Sequence, residues 1–514
     1  MVSEITTLLK GLGFTLTVLA VGTGLSFAQG SAPKSRVPQP FWTPLNNQPN
    51  FSARLTLLLT DGRLIVQENS GSTWHIFTPD STGSYVNGTW GATSTLPVIN
   101  GEQYAPLYYA SAVLSNGKVI IQGGEYNNGV EDFSNNRGAI YDPVANTWTA
   151  TTPPTNGSGA ADAGSVVFPN TEWMVQNISN TQSAVLNPST LNWFYVTGHG
   201  KLDRNDEEGW TLLPDGSVLT VDAEASPNAE RFIPYQWISA GTIPVQLEDP
   251  ISQEIGPAVL MYNGTVFATG ACVSLGGSGT ECQTTGHTAV YTPPNTQMGT
   301  GSWVAGPDFP FVDEGVDIAD GPASILPNGN VLVFASQGIF LTGGEFFEFD
   351  GTSLNAAPNT PNGPNDSSYY GSMLALPTGQ IWFTDGSGDI ELYTTTGTYQ
   401  SSWQPTISSV PTTLKRGGNN YKLVGTQLNG LSQGAAYGDD EQMATNYPLI
   451  RISNMETGHV FYCKTRNFST MGVATGPTPV STYFQVPSSM DTGPSQLVVV
   501  ANGIPSAPVS VTVQ

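Results

Sequence analysis

The sequence predicts an all-β protein, a seven-bladed β-propeller followed by an immunoglobulin-like β-sandwich. Three observations carry that prediction. The 514 residues include 58 Gly and 38 Pro, with only 11% charged and 39% hydrophobic. Such a composition favours many short strands joined by turns over long helices. A turn marker also recurs: Gly62, Gly117, Gly216, Gly264, Gly329 and Gly379 each follow an apolar strand, in runs such as LLPDG and VLSNG. Thr171 takes the same place in SVVFPNTEWMV, and the steps between markers are 55, 54, 45, 48, 65 and 50 residues. Seven copies near this period read as four-stranded blades of the kelch type. Finally, each of five copies carries an aromatic or Leu, then x-Pro, then Trp. The pairs are Phe77 with Trp90, Tyr141 with Trp148, Leu186 with Trp193, Phe232 with Trp237, and Tyr291 with Trp303. These side chains are expected to pack blade on blade.

In chain order, residues 1–28 read as a signal peptide. Lys10 precedes the apolar run LGFTLTVLAVGTGL, and Ser26 and Ala28 stand at −3 and −1 before Gln29. The run is shorter than the roughly 20 apolar residues that span a bilayer, and nothing later replaces it. Residues 29–40 are expected to be a disordered lead-in. Residues 41–403 form the propeller. Its last copy, Tyr369 to Tyr393, is too short for a full blade, so a strand from the Phe41–Phe51 stretch is expected to complete it. From 404 to 514 the strands STYFQV, SQLVVVANG and APVSVTVQ suggest the immunoglobulin-like domain. The expected location is secreted, extracellular or periplasmic. In that setting Cys272 and Cys282, flanking the Gly-rich loop CVSLGGSGTEC, can form a disulfide, leaving Cys463 as a buried thiol. A net charge of −24 without clustered Lys or Arg excludes nucleic acid as a partner.

Function in a propeller gathers where the heads of the inner strands meet at the axial mouth. The residues nine places before the seven markers are Ala53, Tyr108, Asp162, Glu207, Ile255, Asp320 and Tyr370. The expected ligand-binding set is Tyr108, Asp162, Glu207, Asp320, Tyr369 and Tyr370. Asp206, Glu208, Glu254, Asp317 and Tyr109 stand beside them in sequence. Carboxylates and tyrosines about one axis can bind a hard cation such as Ca²⁺, or a sugar or cationic ligand. They can equally be solvated groups or caps on the inner strands. Strand alternation predicts that only one of Tyr369 and Tyr370 faces the channel.

The leader, seven kelch-like repeats and immunoglobulin-like tail together resemble the galactose oxidase and glyoxal oxidase family across nearly the whole mature chain. Members of that family hold one copper on the propeller axis with two tyrosines and two histidines. One of those tyrosines is cross-linked to a cysteine. The resemblance aligns Tyr369-Tyr370-Gly371-Ser372 with a Tyr-His motif, so Tyr369 matches a tyrosine ligand and Tyr370 replaces the histidine. In AAYGDDEQMATNYPL it places Gln442 at the second histidine, and no cysteine precedes Cys272. The four histidines, His75, His199, His287 and His459, are scattered. Radical-copper oxidase activity is therefore expected to be absent. No catalytic residue, cofactor or copper ligand is assigned, and Ca²⁺ is the ion the mouth can take. The leading expectation is a secreted protein that binds an extracellular carbohydrate or protein. The alternatives are an oxidoreductase or hydrolase using the axial carboxylates and tyrosines with another metal, and a structural component of the cell envelope.

Overall fold

Each turn marker joins the first and second strands of a four-stranded antiparallel sheet. In the first blade these are Ala53–Leu58 and Leu64–Glu68, followed outward by Thr73–Thr78 and Thr89–Thr95. The computed structural model describes residues 39–154, 159–276, 281–313 and 315–514. The expected leader, and the lead-in up to residue 38, lie outside the described residues. Among the described residues there are strands and three single-turn 3₁₀ segments, with no α-helix. No helix there is long and apolar enough to cross a membrane.

The innermost strands of the seven blades are Ala53–Leu58, Ala110–Val113, Ser165–Val167, Thr211–Leu212, Ala258–Leu260, Ala323–Ile325 and Ser372–Ala375. The last of them packs against the first, which closes the ring. The seventh sheet takes its outer strand from the other end of the chain. Phe41–Pro44 pairs antiparallel with Ile390–Thr394, Phe41 opposite Thr394 and Pro44 opposite Glu391. Trp42 from that strand packs 4.7 Å from Phe346 of the sixth blade. Radial closure packs the inner strands against one another and leaves the fourth strands, such as Thr89–Thr95, as the outer edges.

All seven markers share one backbone conformation. The six glycines have φ between 76° and 94°, and Thr171 has φ 76°. A β-branched residue in the left-handed region is strained, whereas glycine is not. Thr171→Gly is therefore expected to stabilise the protein by about 1 kcal/mol, the relief of strain exceeding the entropy lost by glycine. Urea unfolding midpoints test this, and a destabilised variant would show that the Thr171 side chain holds the turn.

The second marker is a cross-strand pair between third and fourth strands. Phe77 lies opposite Trp90, Tyr141 opposite Trp148, Leu186 opposite Trp193, Phe232 opposite Trp237, and Tyr291 opposite Trp303. Ring centroids in the aromatic pairs are 4.8 to 5.3 Å apart. These pairs lie within one blade rather than between blades, and some of the same rings also reach the neighbouring blade, Trp148 to Trp74 and Phe77 to Trp382, each at 5.1 Å.

In the C-terminal sandwich, Val460–Arg466 pairs with Leu449–Asn454 through its first half and with Val480–Gln485 through its second. The two faces are thus one sheet curled over a core that includes Leu423, Ile450, Cys463, Phe484 and Leu497. Cys463 is the buried free thiol, and Cys272 is joined to Cys282. One segment leaves the sandwich. Ala435–Ala436 pairs with Ala323 and Ser324 on the inner edge of the sixth blade. This sends the following residues into the axial channel.

Candidate functional site

The segment from Tyr437 to Gln442 runs past the heads of the inner strands. Gln442 donates its backbone N–H to Ser111 Oγ at 3.1 Å, and the Ser111 hydroxyl donates to the Gln442 carbonyl at 2.9 Å. Two glycines make room for it. A Cβ on Gly164 would stand 2.5 Å from the Asp439 carbonyl, and one on Gly209 would collide with the carbonyl of Gly438. These glycines follow Asp162 and Glu207 by two residues, so the positions that admit the segment also aim carboxylates at it. The Tyr437 hydroxyl donates to the Tyr369 carbonyl at 2.8 Å.

The result is an axial acidic well. Asp162, Asp439 and Asp440 each offer an oxygen within 4.8 Å of the others, and so do Glu207, Asp320 and Asp439. Asp439 is only 1% exposed, and neither of its side-chain oxygens accepts from an N–H or hydroxyl donor; its carboxyl faces that of Glu207. One oxygen each of Asp440, Asp320 and Glu254 is likewise buried without a partner. Burial, then the charges of the neighbouring carboxylates, holds Asp162, Glu207, Glu254, Asp320 and Asp440 well above the ordinary carboxylate range. Burial pushes Asp439 up to about 7. Without a cation, this many carboxylates in one low-dielectric space can coexist only by sharing protons.

Arg54 is the buried cation at the edge of the well. Its Nη1 donates to the Tyr369 carbonyl at 2.9 Å, and its Nε lies 3.7 Å from Glu441. The guanidinium stands 5.1 Å from the Tyr108 ring centroid and 5.7 Å from that of Tyr437. Aromatic rings continue outward as a rim. Tyr369 lies 4.1 Å from Tyr370 and 5.2 Å from Phe340, and Tyr108 lies 6.3 Å from Tyr126. Tyr370 is 41% exposed and Phe340 37%.

The structure thus brings Asp162, Glu207 and Asp320 together, with Tyr108 beside Arg54 and the tyrosine pair on the rim. Tyr108, Glu207 and Asp320 all have φ between 52° and 59°, the same turn in three alternate blades. Several sequence expectations need correction. Tyr369 and Tyr370 do not alternate along a strand. They belong to the 3₁₀ turn Ser368–Tyr370, since the strand starts only at Ser372, and the turn brings the two rings together, 4.1 Å apart and tilted by 33°. Among the flanking residues, Glu254 joins the well. Glu208 points instead to Lys201, which it meets at 2.8 Å beside Asp203, Asp222 and Glu230. Asp317 accepts the Cys272 N–H at 2.8 Å, and Tyr109 donates to Gln67 at 2.5 Å. The sequence reading omitted Arg54, Tyr437, Asp439, Asp440 and Glu441. Their one signal was the acidic run directly after Tyr437-Gly438.

The histidines have other partners. His75 stacks on Phe51 at 3.6 Å and pairs with Glu68, His287 meets Asp308 at 2.7 Å, and His459 meets Asp491 at 2.7 Å. The His199 backbone N–H donates to Thr197 within a loop.

No protein-family profile matches the chain, and no curated protein matches it in sequence. Among solved structures, it is similar to a fungal alcohol oxidase of the AA5 family in complex with copper. The match covers 93% of this chain and 100% of that one, at 13% identity and a TM-score of 0.48. It is also similar to virginiamycin B lyase from Staphylococcus aureus, over 69% of this chain and 99% of that one, at 10% identity and a TM-score of 0.43.

Proposed function

We propose that this is a secreted binding propeller whose axial well holds a hard divalent cation of the Ca²⁺ class, with a carbohydrate bound above it. The observation that carries this reading is Asp439, buried with two unpartnered oxygens among carboxylates within 4.8 Å. Ca²⁺ takes about six to eight oxygens at about 2.3–2.6 Å, so opposite ligands stand about 5 Å apart, the spacing of these groups. The donors are all oxygens. Copper(II) prefers nitrogen and oxygen ligands in a tetragonal array, and the side chains beside Tyr369 are Tyr370, Phe340, Arg54 and Tyr437, with no imidazole among them. The residues present do not fit the copper centre that the family resemblance implies. The half-exposed rings of Tyr370 and Phe340 offer flat apolar faces to a sugar at the rim. The Cys272–Cys282 disulfide suits an oxidising compartment outside the cytoplasm.

The test begins with protein stripped by chelator and back-titrated with CaCl₂. At a hundred times its Kd, Ca²⁺ is expected to add about 2.7 kcal/mol of stability, and binding on a glycan array is expected only with Ca²⁺ present. A melting curve indifferent to Ca²⁺, together with peroxide production from sugars or aldehydes after copper loading, would overturn the proposal.

A further inference from the structure

We infer that the axial well holds two hard cations, bridged by Asp439. This inference rests on the cation site proposed above and concerns its stoichiometry and geometry. The carboxylates fall into two groups, Asp162 with Asp440 and Glu207 with Asp320, and Asp439 is the member common to both. Each group spans 4.8 Å or less, the width of one coordination sphere. Asp439 is the residue suited to bridging. It is 1% exposed, neither of its oxygens accepts from an N–H or hydroxyl donor, and both groups of carboxylates face it. A single cation bound by one oxygen of Asp439 leaves the other buried and unsatisfied, which is unfavourable for a charged group. A second cation removes that cost.

The remaining unpartnered oxygens divide in the same way. One oxygen of Asp440 is free on the first side, and one oxygen of Asp320 on the second. Glu254, with one buried unpartnered oxygen, stands beside Glu207 and Asp320 on the second side as well. The first group comes from the third blade and the inserted segment, the second from the fourth and sixth blades. Asp439, on the segment that enters from the C-terminal sandwich, is the one residue that both groups share.

The experiment uses the full chain, stripped by chelator, titrated with CaCl₂ by calorimetry and analysed for bound metal after desalting. Two Ca²⁺ per chain are expected. Asp162→Asn and Glu207→Gln are each expected to leave one, and Asp439→Asn to weaken both by 100-fold or more. A readout that needs no variant is energy transfer between lanthanides. Ions sharing a carboxylate stand about 4 Å apart, so the Tb³⁺ luminescence lifetime is expected to shorten when half the sites are filled with Nd³⁺. One Ca²⁺ per chain with an unchanged Tb³⁺ lifetime overturns the two-cation inference while sparing the cation site. Loss of all Ca²⁺ in both Asp162→Asn and Glu207→Gln, with both variants folded by circular dichroism, also overturns it. Absence of any Ca²⁺ binding overturns the cation site itself.

Discussion

Replacing Arg54 by Met is expected to destabilise the protein by about 3–5 kcal/mol, and adding Glu441→Gln to recover most of the loss. Arg54 is 1% exposed and Glu441 0%, so neither charge can turn to water. Burial alone would favour loss of the guanidinium proton. Glu441, followed by the facing tyrosines and Asp440, reverses that and holds the group charged. Without Arg54, Glu441 is left buried with no cation beside it, and the Tyr369 carbonyl loses one of its two donors. The double variant removes the stranded charge and separates its cost from the lost packing on Tyr108 and Tyr437. Urea unfolding of the wild type, both single variants and the double variant measures the coupling. A loss below about 1 kcal/mol in Arg54→Met, or a double variant no more stable than that single one, would mean that solvent or another group compensates Glu441.

The propeller was legible because its signal is a backbone demand repeated seven times. Each marker needs positive φ, and glycine meets that demand so often that spacing alone located Thr171. The second marker was legible because cross-strand packing selects the same residue types in blade after blade. The ring of positions nine residues before each turn was readable for Asp162, Glu207 and Asp320, since counting back along an inner strand reaches its head. Counting did not show which way a head residue faces. Glu207 and Glu208 are adjacent, and the choice between the axial well and Lys201 is made by a lysine that belongs to no repeat. Nor did it show what enters the channel from elsewhere. Asp439, Asp440 and Glu441 come from the C-terminal sandwich, brought in by the pairing of Ala435–Ala436 with the sixth blade. That contact is tertiary, and no local pattern encodes it. The tyrosine pair was misread for a local reason. Period-two alternation applies to strands, and these two residues lie in the turn before one.

Asp317→Asn is expected to make the protein more stable than the wild type at pH 9 and to reduce that advantage, or reverse it, at pH 5. Asp317 is fully buried on the short strand Val316–Asp317, and one oxygen accepts the Cys272 N–H while the other has no partner. Burial pushes its carboxyl up to about 8, the Cys272 N–H acting against that shift and the charge of Asp249 adding to it. The ordinary value is 3.8. Between about pH 4 and pH 8 the unfolded chain carries this group ionised, whereas the folded chain keeps its proton. The folded state therefore binds more protons in that window, and stability falls as pH rises through it. From pH 5 to pH 9 the wild type is expected to lose on the order of 4 kcal/mol relative to Asp317→Asn. Asparagine retains an oxygen for the Cys272 N–H and cannot ionise, so the link between the disulfide loop of the fifth blade and the sixth blade survives. The other buried acids are common to both proteins, so the difference between the two stability curves reports Asp317 together with its coupling to Asp249. Paired urea titrations at pH 5, 7 and 9 measure it. Parallel curves would show that Asp317 is ionised in the folded protein and finds its compensation in a group other than Cys272.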